Sequence, residues 1–105
     1  MNIPYISAEE VRKNLSMEDA IQCTENVYKL KSQDKTVVWP TIFYEFDPGH
    51  ADMDIKSGYL PEQHIFGHKT VAFMEANVQK GLPDLVGLIA VFSSETGMPL
   101  GLVLS

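Results

Sequence analysis

The stretch His68–Leu104, HKTVAFMEANVQKGLPDLVGLIAVFSSETGMPLGLVL, decides how this chain is read. His68–Met74, Leu85–Phe92 and Pro99–Leu104 are apolar runs of strand length, and punctuated connections separate them. Gly81-Leu82-Pro83 lies in the first connection, and Ser94-Glu95-Thr96-Gly97 reads as a hairpin turn with glycine at a positive-φ position. Lys69 stands alone among the apolar residues of the first strand, on the face of Val71 and Phe73. A lysine that begins in such surroundings is desolvated. Desolvation lowers its pKa and suits it to general acid–base work or to holding a carboxylate. The plainer alternative is a head group that snorkels into solvent from the strand start.

Working outward, Asp52–Tyr59 alternates, with Met53, Ile55 and Tyr59 on one face and Asp52, Asp54 and Lys56 on the other. Asp47-Pro48-Gly49 is a turn, and Pro61–His64 is a loop. Thr36–Phe46 is β-branched and aromatic but interrupted by Pro40, which suggests an edge or a bulge. Upstream, Ile3–Ile6 fits a short strand, Ser7 with Glu10 a capping box, and Ser16 the start of a second helix. Met17, Ala20, Ile21, Thr24, Val27, Tyr28 and Lys31 form that helix's mostly apolar stripe, with Cys23 beside it as a packed, inert thiol. The expected fold is α+β: a single domain over 1–105 with two N-terminal helices packed on a mainly antiparallel meander.

Composition narrows the function classes. With 45% hydrophobic and 21% charged residues the chain is globular. Its net charge of −6 argues against nucleic acid and against an anionic membrane surface. The one cysteine forms no internal disulfide, and no apolar run has signal or spanning length, so a cytoplasmic protein is expected. His64 and His68 have a chelating spacing for a helix, but on an extended segment their rings start roughly 13 Å apart at about 3.3 Å per residue, too far to share a metal. His50, Asp52 and Asp54 read as a solvated acidic face. No G-x-G-x-x-G follows a strand, and no phosphate loop is visible.

The order Lys69-Thr70-Val71, then Asn77–Pro83 as N-x-x-x-G-L-P, then Leu88–Phe92, then Glu95–Leu102 as E-T-G-x-P-L-G-L resembles the ornithine cyclodeaminase/μ-crystallin family. Ser7-Ala8-Glu9-Glu10-Val11 and Ser57-Gly58-Tyr59-Leu60 fit as well, so the resemblance covers essentially the whole chain. It implies the N-terminal substrate-binding and dimerising part of an enzyme whose second, Rossmann domain binds NAD(P). The substrates would be an ornithine-like amino acid or a cyclic imine. Lys69 matches the family's active-site lysine, which contacts the substrate carboxylate and shuttles protons.

Three departures qualify that inheritance. Ile42 stands where relatives often carry a carboxylate-clamping arginine two residues after the proline, and an apolar side chain cannot replace a bidentate fork. Lys56, where many relatives have methionine, is a candidate substitute for that charge. Asp84, where threonine is common, is a candidate for favouring an amine-bearing substrate, or else caps a loop. The chain ends at Ser105, before the family's Rossmann segment, so it is expected to bind no NAD by itself and to perform no hydride transfer. An unpaired sheet edge also predicts homodimerisation through the sheet. The alternative reading is a non-catalytic module that keeps only a dimerising or ligand-binding role.

Overall fold

The computed structural model describes residues 2–104; Met1 and Ser105 lie outside the described residues. Two helices, α1 (Ala8–Asn14) and α2 (Met17–Ser32), follow a two-residue strand β1 (Tyr5–Ile6). Strands β2 (Val37–Val38), β3 (Ile42–Asp47), β4 (Ala51–Leu60) and β5 (Ile65–Met74) come next. A 3-10 turn (Glu75–Lys80) then leads to β6 (Leu85–Ser93) and β7 (Pro99–Leu104). The helix starts follow local chemistry. The Ser7 and Ser16 hydroxyls accept hydrogen bonds from the backbone N–H groups of Glu10 (3.1 Å) and Asp19 (3.0 Å), which satisfies donors that have no partner in the first turn.

All seven strands form one sheet, in the order β1-β7-β6-β5-β4-β2, with β3 also on β4. The meander from β3 to β7 is antiparallel, as expected, but β1 returns to pair in parallel with β7, through Tyr5–Leu102 and Ile6–Val103. The β4–β5 hairpin is the longest pairing, running without interruption from Leu60–Ile65 to Ala51–Met74. Here β5 begins three residues earlier than the sequence suggested, because Ile65, Phe66 and Gly67 are already paired. Gly67 disguises the strand in the sequence and is required by it: a Cβ there would lie 2.6 Å from the Ala90 carbonyl oxygen.

Pro40 breaks the outer strand where expected. Val38 pairs with Gly58 and Ile42 with Ile55, so three residues (Trp39, Pro40, Thr41) span the interval that two (Lys56, Ser57) span on β4. One extra residue makes a bulge and reverses which face the following side chains occupy. Ile42 therefore shares the face of Ile55, opposite to that of Lys56.

The two expected helices are present, but they contribute little burial to the sheet. Neither α1 nor α2 has a buried residue. Among the described residues Ala90 is the one buried hydrophobic side chain, while Tyr28, Phe43, Tyr44, Phe46 and Leu85 are all more than half exposed. The accessible surface is 7810 Å², against about 5900 Å² for a folded monomer of this mass. The radius of gyration, 15.7 Å, likewise exceeds the roughly 13 Å of a close-packed domain of this length. The chain is a broad sheet with both faces largely uncovered. Among the described residues no helix is long and apolar enough to cross a membrane.

Candidate functional site

The hairpin register brings two of the three candidate residues together. Lys56 on β4 and Lys69 on β5 are direct cross-strand partners, so their side chains leave the sheet on the same face. Cβ atoms of such partners lie about 4.5–5.5 Å apart, and like charges at that spacing repel. Neither lysine makes an ion pair within 4.0 Å among the described residues, although the chain carries 14 carboxylates against eight Lys and Arg residues. Two opposed ammonium groups without an ion-pair partner are a candidate seat for an anion, with the Asp54 carboxylate two residues along β4 on the same face.

Lys69 is exposed, not desolvated, and this overturns the argument from dry surroundings. Val71, Phe73 and Ile89 flank it on its face, and helix α2 lies over that face only farther along, at Gly58 and Gly67. Asp52 and Asp54 occupy the same face on β4 and are half-buried, not a fully solvated run. Asp84 lies elsewhere. Its backbone carbonyl accepts a hydrogen bond from the Met74 N–H (2.8 Å), at the end of β5 five residues beyond Lys69. At 3.3–3.4 Å per residue that is roughly 17 Å from the lysine pair. Ile42, across the bulge, is on the opposite face.

The resembling motifs acquire physical roles. The Asn77 side-chain amide donates to the Pro83 carbonyl (3.0 Å), and the Asn77 carbonyl accepts from Leu82 N–H (2.9 Å). N-x-x-x-G-L-P is thus a loop stapled by its own first residue, with Gly81 in the left-handed region at φ 72°. In the E-T-G turn the Ser93 hydroxyl accepts from the N–H groups of Glu95 (3.2 Å) and Thr96 (3.3 Å), while Gly97 takes the positive φ. These glycines close turns. Among the described residues neither stands between a strand and a helix N-terminus, where a dinucleotide phosphate would be cradled.

Sequence reasoning missed one polar contact. His50 Nδ1 bonds the Glu75 carboxylate, and the Glu75 N–H donates to the His50 carbonyl (2.9 Å). This follows from the same register, because positions 50 and 75 lie one step beyond the last pair, Ala51–Met74. The bond to Glu75 raises the His50 pKa above its usual value, aided by the charges of Glu75 and Asp47. Cys23, read as packed, is exposed. It lines a cavity of about 660 Å³ between α2 and the sheet, with Thr24, Val27 and Tyr28 on the helix side and Gly58 and Gly67 beneath. His68 faces the other side of the sheet, stacked on Phe92 at 6.0 Å between ring centroids.

Known proteins share this fold. An alanine dehydrogenase of Archaeoglobus fulgidus is 29% identical over 106 residues, covering 98% of this chain and 31% of that protein. The solved structure of an archaeal alanine dehydrogenase dimer with bound NAD superposes with a TM-score of 0.87 at 29% identity, covering 99% of this chain and 31% of its own. A Δ1-pyrroline-2-carboxylate reductase of Thermococcus litoralis, solved with NADH and L-proline, has the same fold at a TM-score of 0.86 and 24% identity, over 97% of this chain and 32% of its own. The chain spans about a third of the length of these relatives. The profile of the ornithine cyclodeaminase/mu-crystallin family matches residues 4–104, and the chain belongs to that family.

Proposed function

We propose that this chain forms the carboxylate-binding side of an NAD(P)-dependent active site acting on an amino acid or its cyclic imine. The observation that carries the reading is the opposed pair Lys56–Lys69, two exposed ammonium groups on one face with no acidic partner among the described residues. In this reading Lys69 contacts the substrate carboxylate and relays a proton beside it. Lys56 supplies a second positive charge on the same face. Asp84, roughly 17 Å away along the sheet, takes no part. NAD(P) would supply the hydride chemistry, while the lysine pair binds and orients the carboxylate.

The same reading includes a homodimer. The relative solved as a dimer shares this fold, and the roughly 1900 Å² of surface in excess of a monomer's is the size of a substantial interface.

A calorimetric titration with pyruvate and L-alanine, on wild type and on Lys69→Ala, tests the carboxylate reading. The expected result is weak, millimolar-range binding of both by wild type, and its loss in Lys69→Ala. Equal binding by the two proteins refutes it. The second reading is a non-catalytic module that only dimerises or holds a ligand. It predicts association of chains with no response to either carboxylate.

A further inference from the structure

Gly58 and Gly67 pair with each other two residues along each strand from Lys56 and Lys69, on the same face and about 7 Å away. Side chains are excluded there by neighbouring backbone, since a Cβ would stand 2.8 Å from the Val37 carbonyl oxygen at Gly58 and 2.6 Å from that of Ala90 at Gly67. The row beside the lysines is therefore a bare floor. Over that floor lies the cavity of about 660 Å³ roofed by α2, within the size range of small-molecule sites and far larger than a methyl group needs. Its wall is mostly apolar, with Val27 and Tyr28 above and Ile65 and Val91 below.

A cationic pair and an apolar hollow joined by a side-chain-free floor match one kind of molecule, with a carboxylate at one end and a bulky apolar body at the other. We infer that this site selects carboxylates with a large apolar, aromatic-sized side chain, which lies across Gly58 and Gly67 and enters the cavity under α2. The inference rests on the carboxylate reading of Lys56 and Lys69 and adds the side-chain class. Two opposed ammonium groups outweigh the one lysine that lines the cavity, Lys31, so the carboxylate stays at the open lysine row and the apolar body displaces water from beneath the helix.

Cys23, the single cysteine, lines the cavity and is exposed, so its alkylation by N-ethylmaleimide reports occupancy directly. The probes are 3-phenylpropionate, acetate (carboxylate alone) and 3-phenylpropanol (apolar body alone), with lysine Nζ signals followed in parallel by NMR. At twice its dissociation constant, 3-phenylpropionate is expected to slow Cys23 alkylation about threefold. Acetate moves the Lys56 and Lys69 signals without protecting Cys23, and 3-phenylpropanol does neither. Val27→Trp, on the exposed helix wall, fills the hollow and is expected to abolish protection while acetate still moves the lysines. Equal protection by 3-phenylpropanol and 3-phenylpropionate overturns the inference, because the hollow would then act without the lysines. Lysine signals that respond to acetate while 3-phenylpropionate leaves Cys23 unprotected overturn it too, and leave the carboxylate reading standing. If no probe moves either lysine, both fall.

Discussion

Lys56 and Lys69 face each other directly across β4 and β5, so the two cationic candidates form one feature of the hairpin. Their repulsion is tolerated because both heads are exposed and solvated. Opposed like charges cost about 0.2–1 kcal/mol. Lys69→Ala is therefore expected to leave stability unchanged or to raise it by up to about that amount, while carboxylate binding is lost. Urea denaturation beside a ligand titration checks both halves. A clear loss of stability would mean that Lys69 serves the fold.

The register that joins these lysines is legible once the Pro61–His64 loop is centred between Leu60 and Ile65, since every later pair follows from it. Gly67 weakens the strand signal of 65–67, so the sequence pattern alone places the start of this strand at His68. The bulge at Pro40 was legible as an interruption, but its effect on Ile42 was not, because a change of face depends on counting residues in the partner strand. The exposure of Lys69 could not be read from alternation at all. Alternation shows which residues share a face and is silent on what covers it.

Asn77 staples its loop through a side-chain N–H to the Pro83 carbonyl, which only a donor at that position can supply. Asn77→Asp removes the donor with almost no change in shape. A loss of about 1 kcal/mol in urea unfolding is expected, the usual net value of one hydrogen bond. Unchanged stability would show that the backbone bonds around Gly81 hold the loop unaided.

His50 provides a pH signature. Its pKa is raised, chiefly by its bond to Glu75, so protonation is favoured in the folded state. The stabilisation is fully present below the unfolded value near 6.5 and is lost as pH rises through the higher folded value. Histidine NMR titration should place His50 above that reference in wild type and return it toward 6.5 in Glu75→Gln. An unmoved midpoint in the variant would assign the shift to another group.

Helix α2 roofs the cavity and is anchored at its start by Ser16. Ser16→Ala is expected to cost about 1 kcal/mol and to reduce helical circular dichroism, whereas Ser16→Asp, which also caps, should restore it. Failure of the aspartate to rescue would point to a role for Ser16 other than capping.

The accessible surface, 7810 Å², predicts association. Sedimentation velocity should show a species of two chains that grows with concentration, and a compact monomer throughout would contradict the proposed homodimer.

The central claim is that the Lys56–Lys69 pair binds a carboxylate. Its most direct test is a titration of the chain with pyruvate, followed at every lysine side-chain nitrogen by NMR. The account predicts that Lys56 and Lys69 shift together along one saturating curve while Lys13, Lys29, Lys31, Lys35 and Lys80 stay in place. A uniform drift of all lysines, or a saturating response that omits Lys69, would contradict it.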